Sequence, residues 1–228
     1  MQFKGDKLST QFLVLNVNNL GYAAYDGVGE YDFPLIKAQP INSLLLEEHQ
    51  LIGFNYALKT KDRHLKGVHF FLHDYQFERV WNYPDRYVEL LKQFSYVLSP
   101  DFSPYAGTPR ATKIFNVYRN RWCGRYWQDH GINVIPTISW GTEDDLNWCL
   151  DGIEKHSVVA ISTMGMGRWA NFMPLKEKWN YIMEKIEPQS VLLYGKDIRQ
   201  DLPTSTHIIY KPIMNRQWTD QEEDEYGI

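Results

Sequence analysis

One pattern recurs down the second half of this 228-residue chain: a short apolar strand, a polar turn and an amphipathic helix. The strand segments read GVHFFLHD, SYVLSPDFSP, INVIPTISWG, SVVAISTMGMG and SVLLYGKD, with a helix-like stretch in each gap between neighbours. A strand, a crossover helix and a second strand build a parallel sheet. In such sheets ligands collect at the carboxyl ends of the strands. The pattern therefore says where a site should lie before it says what happens there.

The expected fold class is α/β, a mainly parallel sheet with crossover helices. Right-handed crossovers between at least five strands give either a barrel or an open sheet. Short strands with polar residues near their ends favour an irregular or incomplete TIM-like barrel, with a doubly wound open sheet as the alternative. Residues 1–218 read as a single domain with an extended N-terminal arm over about residues 1–50. Within that arm QFLVLNV (11–17) suits a strand and INSLLLEEHQ (41–50) a short helix capped by Asn42 or Ser43. The next strand is expected at Leu51–Leu58. Only about nine residues separate it from the strand at 67–73, fewer than a parallel return usually takes, so a hairpin or an irregular start to the sheet is expected.

Helices are expected from Pro84, where proline suits a first turn, and over Pro109–His130, with Gly131 as the stop. Another is expected from Glu143, where Thr142 and Asp145 form a weak capping box, and a last one after Pro174. Further strands fall at 95–99, 132–138, 157–163, 190–195 and 206–210.

Charge restricts the partners less than it first suggests. The formal net charge is −4, but Thr219–Ile228 carries five acids and no base, and without it the body stands at +1. Residues 219–228 read as a solvated, disordered tail. Cys123 and Cys149 have no second Cys or His at zinc spacing, so both are expected as buried thiols in a reducing compartment. Met1–Asp6 turns polar within six residues and no apolar run approaches the ~20 residues of a membrane span. A cytoplasmic protein with no membrane contact is expected.

Several segments can carry chemistry. His69 and His73 lie four apart, but on a strand that is ~13 Å, too far for one ion. His73 and Asp74 close that strand, and Asp101 closes the next in Ser-Pro-Asp, where it is either an acid–base group or a turn residue. Asp101, Asp74 and His73 are the candidate catalytic residues. Ser139 and Trp140 end the strand TISWG, and Trp140 could stack a ring or plug the interior. In STMGMGRWAN, Ser162, Gly165, Gly167 and Arg168 combine freed backbone amides with a guanidinium, a combination that suits an anion. The segment is neither a P-loop nor a dinucleotide fingerprint. Helix 109–130 places Ala111, Phe115, Tyr118, Trp122 and Tyr126 at core spacing. Its bases, among them Arg110, Lys113, Arg121 and Arg125, then form an exposed face that could meet phosphates. No metal site, cofactor motif, Gly-x-Ser-x-Gly or CxxC is present.

YDFPLIKAQP, SPDFSPY, YRNRWCGRYWQDHGINVIPTISWG and STMG, in that order, resemble a bacterial family known only as domain-of-unknown-function family 4417, also met in phages and plasmids. The resemblance covers about residues 30–210 and transfers no activity and no catalytic residue. It implies a phage, plasmid or host-defence context, which raises nucleotides and nucleic acids as ligands. The expected function is to bind or act on a phosphorylated ligand, a nucleotide or nucleic acid, at the strands' carboxyl ends. A non-enzymatic nucleic-acid-associated protein or a protein-interaction module is the alternative.

Overall fold

The computed structural model describes residues 19–105, 107–164, 172–203 and 206–213. A two-stranded antiparallel ribbon, β1 (Gly27–Val28) and β2 (Phe33–Pro34), belongs to the arm. Helix α1 (Ser43–Glu48) follows, with Asn42 Oδ1 accepting from Leu44 N at 2.9 Å as its cap. Then come β3 (Gln50–Gly53), β4 (Lys66–His69) and three short helices, α2 (Asp74–Phe77), α3 (Arg79–Asn82) and α4 (Pro84–Leu91). The rest alternates: β5 (Tyr96–Leu98), α5 (Arg110–Asp129), β6 (Val134–Ile135), α6 (Leu146–Cys149), β7 (Val158–Ser162), α7 (Phe172–Ile186), β8 (Ser190–Gly195) and β9 (Ile208–Pro212).

The strands form two parallel sheets, β3-β4-β5-β6 and β7-β8-β9. An isolated parallel bridge, Thr137 to Ala160, joins their inner edges. The five strands near 68, 96, 134, 159 and 191 are parallel to their neighbours, as the recurrent pattern requires. Order follows the chain without reversal in either sheet, so the doubly wound alternative, which needs a reversal, is not the order seen. No sheet closes. A side chain ties β9 to the end of α1, just ahead of the outer edge β3: Lys211 Nζ donates to the carbonyl oxygens of Glu47 and His49, each at 2.8 Å.

Of the two expected arrangements for the first two strands, the hairpin does not form and the irregular start to the sheet does. The strand expected at Leu51–Leu58 stops at Gly53, and β3 pairs with β4 in parallel, Leu51 opposite Gly67 and Gly53 opposite His69. A short link suffices because a four-residue strand spans only ~13 Å. The return is made by two 3-10 turns, Phe54–Tyr56 and Arg63–Leu65, entered the second time through a left-handed Asp62 at φ 52°.

Strand alternation sorts the core into an inner layer and two outer ones. Leu51, Tyr96, Leu98, Ile135, Val158, Ala160, Leu192, Tyr194 and Ile209 form one inner cluster with Phe71 and with Leu46 of α1. Their sequence neighbours Val68, Val97 and Val134 pack outward against α4 and α5, and Val159, Ile161, Val191 and Leu193 against α7. Strands covered on both faces need no polar alternation, which is why β8 is buried at every position.

Helix α5 lies between the two outer clusters and is buried along most of its second half. The arm wraps it: Trp122 Nε1 donates to Ala23 O at 3.0 Å, and Ile36 pairs with Ile153 while its side chain crosses Gly124. The 1–218 unit and the tail 219–228 extend into segments outside the described residues, as does the strand expected at 11–17.

Gly67 has a steric reason to be glycine. A Cβ there would stand 2.2 Å from the ring of Tyr96, which is fully buried in the inner layer. Gly67→Ala should cost about 1–3 kcal/mol, the range for overpacking a filled core. Urea unfolding checks this, and a variant as stable as the parent would show that the ring moves aside.

Candidate functional site

The carboxyl ends of β4, β5 and β6 bring three of the sequence-predicted residues together. After β5 the chain runs through Ser99-Pro100-Asp101-Phe102-Ser103, and this turn is held from both sides. Asp74, the first residue of α2, accepts from Ser103 N at 3.2 Å and from Ser103 Oγ at 2.7 Å. From α5, Asn120 Nδ2 donates to Pro100 O and Asn116 Nδ2 to Ser103 O, both at 2.7 Å. Phe102 anchors the middle, packed against Phe77 at 5.2 Å with the Arg119 guanidinium 3.9 Å from its ring centre. Asp101 is thus carried on a turn with little freedom to move.

One carboxylate oxygen of Asp101, Oδ1, is buried with no hydrogen-bond partner. Burial pushes the Asp101 carboxyl from 3.8 up to about 7; a hydrogen bond with Ser139 opposes the rise, the Asp74 charge adds to it, and Arg121 opposes it. An acid tuned to neutral pH at a strand end has the character of a proton-transfer group. Asp101, Asp74 and Ser139 therefore share one locality.

Arg121 stands behind this group, not on the surface. It is 1% exposed, and its donors reach Asp151 O at 3.0 Å, Asn120 Oδ1 at 2.6 Å, Thr137 O at 3.1 Å and Cys149 O at 2.6 Å. Desolvation lowers its pKa to about 10, which leaves it charged at neutral pH. The expectation that the bases of this helix face solvent is corrected for most of them. Lys113 is buried in an ion pair with Asp145 at 2.7 Å, and Arg125 pairs with Asp129 at 2.9 Å and lies over Tyr25. Arg110 alone of the four is exposed, and it donates to Tyr31 Oη at 2.6 Å. The expected apolar stripe is corrected at its start too, since Ala111 and Phe115 are exposed while Trp122 and Tyr126 are buried.

The remaining candidates are dispersed. His73 sits at the N-terminal boundary of α2 with its ring stacked on the exposed Tyr75 at 5.8 Å. His69 faces inward, its Nδ1 accepting from Phe71 N and its ring 4.4 Å from that of Tyr194. Ser162 shares the inward parity of Val158 and Ala160, and its Oγ accepts from Met164 N at 3.1 Å. The neighbouring turn is tight: Gly195, at φ +116°, leaves no room for a Cβ beside Thr163 Oγ1, which accepts from Lys196 N at 2.6 Å. Trp140 is half-buried against the outer cluster that contains Leu146 and Trp148. Gly165, Gly167 and Arg168 lie outside the described residues. Among the described residues, no three His, Cys, Asp or Glu side chains group as metal ligands do.

Sequence reasoning missed Asn116 and Asn120. Their signal was present: two poor helix formers four residues apart on one face of a long helix. It missed Ser103 as well, because a serine next to proline in a turn carries no distinguishing mark.

The raised acid of Asp101 has a consequence for stability. Between about pH 4 and pH 7 the folded chain keeps a proton that the unfolded chain releases, so this group's contribution falls as pH rises and levels off above about 7. Asp101→Asn should remove that fall. In urea melts the variant should gain on the parent by about 1–4 kcal/mol at pH ~8 and lose the advantage near pH ~4. Parallel curves for the two proteins would show that the carboxyl ionises freely.

A "Gene 1 protein" of Mycobacterium phage L5 is 44% identical over 134 residues, covering 57% of this chain and 57% of that protein. A "Gene 1 protein" of Mycobacterium phage D29 is 42% identical over 131 residues, covering 57% of this chain and 48% of that protein. The chain thus spans about half the length of the curated relatives it matches. No solved structure matches. Among the described residues, no helix is long and apolar enough to cross a membrane. The model of a domain of unknown function, DUF4417, matches residues 25–211, so the chain belongs to that family.

Proposed function

We propose that the chain is a phage- or mobile-element-associated protein that binds or acts on a phosphorylated ligand, a nucleotide or the end of a nucleic acid, with Asp101 as the group that exchanges a proton. The observation that carries this reading is the immobilised Asp101 carboxyl, held near neutrality by burial at a strand's carboxyl end. At neutral pH such a group is present in both forms, so it can take a proton from a hydroxyl or water and return it. Asp74 keeps the local potential negative, Arg121 from behind limits the rise, and Ser139 orients the carboxyl. In this reading Ser162, at the carboxyl end of β7, faces the ligand, Trp140 stacks a base, and Gly165, Gly167 and Arg168 take the phosphate.

The architecture we favour is an incomplete barrel in one cytoplasmic domain. Its support is the chain-ordered run of parallel strands around one shared inner cluster. A concavity at the carboxyl ends of such a run suits a ligand of nucleotide size. Nucleic-acid association through α5 has less support, since only Arg110 of its four candidate bases is exposed.

The test is a calorimetric titration of the parent protein with inorganic phosphate, nucleoside mono-, di- and triphosphates and short DNA, after a thermal melt confirms folding. Arg168→Ala should weaken binding of the preferred ligand by ~1.5–3 kcal/mol, the worth of a charged hydrogen bond. Asp101→Asn should leave affinity within about threefold and remove both turnover of that ligand and any pH dependence centred near 7. A parent protein that binds none of these ligands, or two variants that behave like it, would end the proposal.

A further inference from the structure

Among the described residues an exposed basic stretch lies away from α5, in the strap that links β3 to β4. Between Tyr56 and Lys66 the chain carries Lys59, Lys61, Arg63 and Lys66 against one acid, Asp62, within a protein of net charge −4. None of the four cations forms an ion pair among the described residues, whereas Lys92, Lys113, Lys155 and Lys178 each do. Concentrated like charge without compensation is what a polyanion recognises, and it is costly to keep for no purpose.

The strap is also preorganised. Arg63 ties it shut, donating to Ala57 O at 3.2 Å, Leu58 O at 2.7 Å and Gln93 Oε1 at 2.7 Å. Lys66 Nζ donates to Lys61 O at 3.0 Å. These bonds draw the four cations into one short stretch of surface and leave the ammonium groups of Lys59 and Lys61 facing solvent without a partner among the described residues. Tyr56, 58% exposed, places a ring at the end of the same stretch.

We infer that the strap Tyr56–Lys66 is a docking surface for single-stranded nucleic acid, with Lys59 and Lys61 on the phosphates and Tyr56 stacking a base. Lysine ammonium groups are compact point charges that meet phosphate without reading sequence, and one aromatic face accepts any base. Leu58 is exposed too, and an anionic bilayer also attracts lysines beside apolar groups. Here, however, basic and apolar side chains are interleaved along the strap, whereas an interfacial helix separates them onto opposite faces. The strap uses none of the residues gathered around Asp101, so the two proposals stand or fall separately.

Fluorescence anisotropy with a labelled single strand of ~20 nucleotides at ~50 mM salt tests the assignment. The parent protein should bind with an affinity that falls steeply with salt. Lys59→Glu/Lys61→Glu should lower affinity at least ~10-fold and reduce the salt slope by about 1.4, the share of two phosphate contacts on a single strand. Tyr56→Ala should weaken the single strand about fivefold or more and a duplex of the same sequence less. Lys37→Glu/Lys155→Glu, a charge-matched pair elsewhere on the surface, should change little, with thermal melts confirming that all variants fold. Absence of binding by the parent protein, or an equal loss in the control pair, would overturn the inference. Binding to vesicles containing ~30% phosphatidylserine with none to the oligonucleotide would overturn it in favour of a lipid surface.

Discussion

The fold depends on one buried cation. Arg121, near the middle of α5, donates to the backbone at Thr137, Cys149 and Asp151 and to the Asn120 side chain. Those acceptors belong to the junction where the two sheets meet through a single bridge and to the turn after α6. Carbonyls there have no ladder to satisfy them, and a buried carbonyl left unpaired is costly. The guanidinium, with several donors in a fixed fork, answers several of them at once. The same charge lies close enough to Asp101 to hold down the rise in its pKa. Structure at the junction and electrostatics at the strand ends therefore share one residue.

The polar residues around Arg121 form a continuous set. Ser99 Oγ donates to Asn120 Oδ1 at 2.8 Å and accepts from Thr137 N at 2.8 Å, while Thr137 Oγ1 donates to Ser99 O. Two free thiols, Cys123 within α5 and Cys149 at the end of α6, sit in the packed layers, and burial drives both away from ionisation: Cys149 is pushed up to about 12 and Cys123 higher still. Thiols so held are packing residues and not nucleophiles.

How much of this was legible in the residues varies with the kind of force involved. The recurring strand–helix pattern comes from burial and backbone periodicity, and β5 to β8 stand where it puts them. Asn42, Pro84 and the Thr142–Asp145 pair marked their helices through local capping, where Asp145 also accepts from Thr142 N at 2.7 Å. Asp101 could be singled out because a carboxylate in Ser-Pro-Asp falls at the end of an apolar run. The bases of α5 could not be placed from sequence. A charge reads as solvent-facing until its partners are known, and the partners of Lys113 and Arg121 are Asp145 and backbone carbonyls 16 to 32 residues away. The β3–β4 link stays open between a hairpin and an irregular start in the sequence, because strand length, which sets how far the return must travel, shows only in three dimensions.

Lys211 gives the assembly a seam. Within each sheet neighbouring strands are held by main-chain ladders, which break only together, and the two sheets meet at the Thr137–Ala160 bridge. Between β9 and α1 the main-chain groups are joined by one ammonium on two carbonyls, made by a residue with only 7% of its surface exposed and with a pKa lowered chiefly by burial. Parting the edges there breaks these two bonds, the His207–Glu47 contact at 3.3 Å and the packing of Ile209 in the inner cluster, and leaves every ladder intact. Thermal breathing of the molecule should therefore begin along this line, and amides of β9 should exchange with solvent before those of β8.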